Sequence, residues 1–96
     1  MKYELSIEYC PRCRWLMRAA WMAQEFLTSF EEELASVTLI PGNSSGIYAI
    51  RINNELVFDR KTNGGFADIA VLKQLVRDRV SPGKNLGHSD RAKNPG

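Results

Sequence analysis

The hydrophobic period of the chain changes once, abruptly, at the tetrad Cys10-Pro11-Arg12-Cys13. Before it, Tyr3, Leu5 and Ile7 alternate with Lys2, Glu4, Ser6 and Glu8, the pattern of a half-buried strand that ends at Tyr9. After it, Trp15, Leu16, Ala19, Ala20, Met22, Ala23, Phe26, Leu27 and Phe30 fall on one broad helical face. Arg14, Arg18, Glu25 and Glu32 lie opposite. The spacing predicts one long helix from about Arg12 to Glu33, with Pro11 in its first turn, where a missing N–H is no loss. A strand that hands over to a helix at Cys-x-x-Cys places two thiols at a helix N-terminus. Unpaired N–H groups and the helix dipole there favour thiolate over thiol.

Val37, Leu39 and Ile40 form a short apolar run, read as a second strand that stops at Pro41-Gly42. Strand, helix and strand make a right-handed βαβ unit with parallel strands. A turn follows from Pro41 to Gly46. Ile47 to Ile52 and Glu55 to Asp59 flank Asn53-Asn54, a hairpin whose tip residues tolerate positive φ. Arg60 to Gly65 reads as a loop and Asp68 to Val80 as a second amphipathic helix. Glu31, Glu32 and Glu33 read as a solvated helix end. From Lys84 onward one leucine stands among small and polar residues, which predicts a mobile tail. The expected organisation is one domain over 1–82 and a flexible tail over 83–96. The order β-α-β-β-β-α, with a mixed four-stranded sheet and two helices, is an α/β (α+β) thioredoxin-like arrangement.

Composition excludes several functions. A net charge of +2, without aromatics interleaved among the basic residues, argues against nucleic acid. No apolar run reaches the roughly 18 residues of a membrane span. Met1-Lys2 leads straight into the strand pattern rather than into an apolar leader, so a cytoplasmic, reducing location is expected. There, a cysteine pair so closely spaced is catalytic or metal-binding rather than structural. Structural zinc takes four ligands. Two thiols and His88, the single histidine, fall short unless two chains share a site, so no bound metal is expected.

The tetrad carries its own chemistry. Two cysteines one helical turn apart are within reach of a disulfide. Arg12 and Arg14 add positive charge that stabilises a thiolate and can receive carboxylates. One sulfur attacks a disulfide, sulfenic acid or peroxide, and the other resolves the intermediate. Trp15, at the edge of the buried stripe, is assigned to the core. Arg18 is assigned to a solvated face, and nothing brings Arg60 or Lys61 to the site. Met17 and Trp21 share one line on the polar side. They mark either a contact patch for a partner or a second copy, or a surface covered by the hairpin or tail.

The chain also resembles a known family, the selenoprotein W/T/H family, whose shared domain is called Rdx. The resemblance rests on Tyr9-Cys10-x-x-Cys13 with Arg14-Trp15, on Pro41-Gly42 and Gly46, and on Arg60-Lys61 with Gly64-Gly65-Phe66. The tail from Pro82 to Asp90 is similar to that of short bacterial members. It implies a thioredoxin-like domain with a thiol oxidoreductase role, often linked to glutathione. In animal relatives the position matching Cys13 is commonly selenocysteine, which favours Cys13 as the attacking group; thioredoxin geometry favours Cys10. Thioredoxins also carry a cis-proline before the hairpin. Gly46 occupies that neighbourhood here.

Two functions remain at this stage. One is a thiol–disulfide oxidoreductase with catalytic Cys10 and Cys13, no bound cofactor and glutathione as reductant, in redox homeostasis or antioxidant defence. The other is a redox-sensing interaction module whose Cys-x-x-Cys state gates a partner through Met17 and Trp21, without turnover.

Overall fold

The computed structural model describes residues 2–87. Its elements are β1 (Tyr3–Tyr9), α1 (Leu16–Ser29), β2 (Leu34–Pro41), β3 (Tyr48–Ile52), β4 (Glu55–Asp59), α2 (Arg60–Asn63) and α3 (Ile69–Val80). The sheet order is β2-β1-β3-β4, with β1 parallel to β2 and the other pairs antiparallel. The expected thioredoxin-like order and mixed four-stranded sheet are therefore present.

One hydrophobic cluster holds the layers together. Leu5 and Ile7 of β1 and Ile50 and Ile52 of β3 pack with Met22 and Phe26 of α1 and Leu72 and Val76 of α3. The alternation read in the sequence produces this. Successive strand side chains point to opposite faces, so Leu5, Ile7 and Tyr9 enter the core together while Glu4, Ser6 and Glu8 leave it. On that outer face Arg51 bonds Glu8 at 2.9 Å. The hairpin tip turns as expected, with φ of 49° at Asn53 and 70° at Asn54. Asn53 also fastens the tip to β1: its N–H donates to Glu4 O at 2.8 Å, and its side-chain oxygen accepts from Glu4 N–H at 3.0 Å.

Three local expectations need correction. Helix α1 is shorter than its periodic stretch. Residues Pro11 to Arg14 form a turn, closed by Arg14 N–H to Pro11 O at 3.0 Å, and Arg14 has φ of 63°. A residue in the left-handed region cannot continue a right-handed helix. At the other end, the Glu33 and Leu34 N–H groups both turn back to Phe30 O, and β2 starts at Leu34 rather than Val37. Glu31, Glu32 and Glu33 are thus a turn, not a helix end. Finally, the expected loop after β4 contains the short α2, because the Asp59 carboxylate accepts from the Thr62 N–H at 2.9 Å and from its hydroxyl at 2.8 Å.

The first residues of the expected tail pack on the domain. Lys84 donates to Ser29 O at 3.1 Å and pairs with Glu33 at 3.0 Å, Arg77 donates to Lys84 O at 3.0 Å, and Leu86 lies against the core. His88 lies outside the described residues.

The cap at α2 has a pH signature. Its two hydrogen bonds from Thr62 hold the Asp59 carboxyl below the ordinary aspartate range. A depressed folded-state value contributes stability above the unfolded value, lost as pH falls through the folded one. The wild type should therefore exceed Asp59→Asn in urea unfolding at about pH 7, and the gap should close by about pH 2.5. A gap independent of pH would contradict the assignment.

Candidate functional site

The site begins where β1 ends. Cys10 follows Tyr9 directly and is 2% exposed, while Cys13, across the turn, is half-buried. The two are joined as a disulfide pair with Cα atoms 5.3 Å apart, inside the range such a bond requires. Trp15 caps α1, so Cys13 lies just outside the helix rather than in its first turn. No side chain caps that end and no acidic residue stands in its first turn. The helix's unpaired N–H groups and positive dipole end therefore remain on the side of the turn.

Two clefts flank the turn. One, of about 350 Å³, is lined by Cys10, Pro11 and Arg12 and by the loop Gly42, Asn43, Ser44 and Ser45. The other, of about 310 Å³, is lined by Tyr9, Pro11, Arg14, Leu16 and Met17. Gly42 brings the first loop close. Its N–H donates to Tyr9 O at 2.8 Å, and a Cβ there would stand 2.7 Å from Ile47 Cγ2 and 2.9 Å from a Glu8 carboxylate oxygen. Only a residue without a side chain fits that approach without displacing its neighbours.

Behind the turn stands an aromatic triad. Trp15, Tyr48 and Phe66 meet edge to face, with centroids 6.0, 4.9 and 5.0 Å apart. Such pairs are attractive beyond the area they bury. Tyr48 is fully buried and donates its hydroxyl to Met22 Sδ at 3.1 Å. Burial pushes its hydroxyl pKa far above the ordinary tyrosine value, and the nearby Arg18 offsets this in part. It stays a neutral donor at any physiological pH. Two guanidinium groups cover the triad: Arg18 lies 4.0 Å from the Phe66 centroid, and Arg60 4.9 Å from that of Trp15. Arg60 also donates to Gly46 O at 3.2 Å. Gly46 has φ of +75°, and a Cβ on it would sit 3.0 Å from the Arg60 guanidinium.

The sequence-derived residues distribute unevenly. Cys10, Cys13, Arg12 and Arg14 come together as one turn. Trp15 packs against the core, as assigned, and also forms the triad. Met17 is 83% exposed and lines the second cleft; Trp21 is 47% exposed and does not line it. Arg18 is exposed but lies over Phe66, and Arg60 lies over Trp15 while lining neither cleft. Tyr48 and Phe66 were not singled out as site residues. The paired glycines before Phe66 and the Arg60-Lys61 pair were the available signals. Among the described residues, Arg12, Arg14, Arg18 and Arg60 form no ion pair with a carboxylate, whereas the charge of Lys61 acts on Asp59. No group of three or more histidine, cysteine or acidic side chains among the described residues is placed to hold a metal. No helix among them is long and apolar enough to cross a membrane.

Fold and site together define a small thioredoxin-like domain with a Cys-x-x-Cys pair at the end of its first strand. The chain belongs to the Rdx family, whose model matches residues 4–78. It is similar to a protein of Bordetella parapertussis whose crystal structure shares 46% identity at a TM-score of 0.78, covering 82% of this chain and 99% of that one. It is also similar to a selenoprotein W-related protein of Vibrio cholerae, with 41% identity, a TM-score of 0.79, and coverage of 84% of this chain and 100% of that one. No curated protein matches the chain.

Burial sets an order of reactivity. In the reduced protein, an alkylating reagent followed by peptide mass spectrometry should modify Cys13 faster than Cys10, by roughly tenfold or more; equal rates, or the reverse order, would contradict the geometry. Gly42→Val should lower unfolding stability by about 1–3 kcal/mol, because its side chain meets Ile47 and Glu8. An unchanged urea midpoint would show that the loop gives way freely.

Proposed function

We propose that the protein is a cytoplasmic thiol–disulfide oxidoreductase in which Cys13 attacks, Cys10 resolves and glutathione supplies the electrons. The observation that carries this is the asymmetry of the pair: Cys10 is buried, Cys13 is only partly so, and the two are within bonding reach. This inverts the thioredoxin order and accords with the position that is selenocysteine in the animal relatives. Membership of the Rdx family and similarity to a selenoprotein W-related protein support a redox role for the pair.

The chemistry runs in balanced steps. The Cys13 thiolate attacks one sulfur of a client disulfide; an S–S bond forms to the client and the client's other sulfur leaves as a thiolate. The Cys10 sulfur, losing its proton to solvent, then attacks Cys13 and releases the second client thiolate. The client has gained two electrons and the pair has become the Cys10–Cys13 disulfide. Two glutathione thiols return those electrons and leave as glutathione disulfide. Arg12 and Arg14 contribute twice: they stabilise the Cys13 thiolate, and they receive the carboxylates of glutathione in the clefts beside the turn. Neither step requires a bound cofactor.

The test is turnover. With glutathione, a recycling reductase and a small mixed disulfide, the wild type should consume reductant catalytically. Cys13→Ser should lose roughly 100-fold or more of that rate. Cys10→Ser should instead accumulate a mixed disulfide on Cys13, visible by mass. Arg12→Ala/Arg14→Ala should raise KM for glutathione more than it lowers kcat. Oxidation of the pair without any turnover would replace the enzyme by the redox-sensing alternative.

A further inference from the structure

The sheet leaves β2 as an edge strand. Natural edges are blunted by charge, internal proline, bulges or a covering element. Strand β2 contains no charged residue, its one proline is its last residue, and its single irregularity falls at Ala35, so Ser36 to Pro41 pairs regularly with β1. Its outer N–H and C=O groups present a template for another strand.

The helix above continues this surface. One side of α1 faces α3, marked by Glu25–Lys73 at 2.8 Å and by Arg18 over Phe66. The opposite side, turned toward the β2 edge, carries Leu16, Ala20 and Leu27, with Leu16 49% and Leu27 41% exposed. Between these and the charged side stand Met17, Trp21, Gln24 and Thr28, all uncharged. The strand edge and the helix flank thus form one uncharged side of the molecule.

Charge lies at the two ends of that side, and at the first end Lys84 neutralises Glu33. Glu31 and Glu32 immediately precede β2, exposed and without an ion-pair partner among the described residues. Arg12 and Arg14 stand beyond the other end, where Tyr9 pairs with Pro41, equally exposed and unpaired. An antiparallel copy of β2 would bring acid against base at both ends; a parallel copy would set like against like.

We propose that the protein forms a two-fold dimer through antiparallel pairing of two β2 edges, which joins two four-stranded sheets into one. A second copy fits because a two-fold interface must be self-complementary, and this side is uncharged in the middle and oppositely charged at its ends. The helices fit as well. Paired strands lie about 4.8 Å apart, and α1 sits over β1 and β2. The two α1 helices therefore approach to about 8–10 Å, the ordinary packing distance of helices, with Leu16, Ala20 and Leu27 between them. Each copy then sets Glu31 and Glu32 beside the redox turn of the other.

Sedimentation velocity of the intact protein over a concentration series, with hydrogen exchange read on β2, tests this. The expected result is a dimer that weakens with salt, and β2 amides that gain protection as concentration rises. Leu27→Lys should weaken association at least tenfold. Glu31→Lys/Glu32→Lys should do the same, and adding Arg12→Glu/Arg14→Glu to that variant should restore association. Circular dichroism verifies folding of each variant, and where one fails to fold the wild-type exchange data decide. A monomer at every concentration, β2 amides indifferent to concentration, or a dimer untouched by these substitutions would overturn the proposal.

Discussion

Tyr48 sits where every layer of the structure meets. It lies on β3 opposite Tyr9, the residue that delivers the cysteine turn. Its ring meets Trp15 on one side and Phe66 on the other, and its hydroxyl reaches Met22 in the middle of α1. A buried hydroxyl without a partner costs more than an ordinary hydrogen bond contributes, so the sulfur contact lets so large a polar side chain occupy the core. Through this residue the sheet, the first helix, the cysteine turn and the segment before α3 fix one another. Arg18 and Arg60 then lie over the rings of the triad.

The same construction explains how a half-buried cysteine and a buried one arise from adjacent turns of chain. Cys10 follows the last residue of β1 and is buried, outside the main hydrophobic cluster and beside the loop from Gly42 to Ser45. Arg14 then takes a left-handed conformation, which ends the turn and leaves Cys13, half-buried, outside the helix. The loop held at Tyr9 by Gly42 walls one side, and Leu16 and Met17 wall the other. The cysteine pair is thus set beside Arg12 and Arg14 at the unpaired N-terminal end of a helix, with Cys10 lining the first cleft.

Much of this was legible in the sequence. Alternation in Tyr3, Leu5 and Ile7, the helical stripe from Trp15 to Phe30 and the Asn53-Asn54 tip were sufficient for the strand order and the cysteine pair. Element ends were not legible. Arg14 belongs to the polar side whether it is in a helix or a turn, so the hydrophobic pattern carries no trace of its positive φ. A periodic pattern reports which side a residue faces, not where the first backbone hydrogen bond forms. The short α2 was hidden because it depends on one aspartate cap. The place of Arg60 was not legible because it follows from the edge-to-face contact of Trp15 with Phe66, which joins distant parts of the chain. The family marks at Gly42, Gly46 and Phe66 acquire a physical basis: two close backbone approaches and one leaf of the aromatic triad.

The central claim is that Cys10 and Cys13 form a reversible two-electron couple matched to glutathione. Equilibrating the protein in glutathione buffers of graded potential, quenching with an alkylating reagent and measuring intact mass tests it most directly. The expected result is one transition between a doubly alkylated form and a form two hydrogens lighter than the unalkylated dithiol, with a midpoint within reach of the glutathione couple. A pair that stays doubly alkylated throughout, or that carries only glutathione adducts without closing on itself, would contradict it.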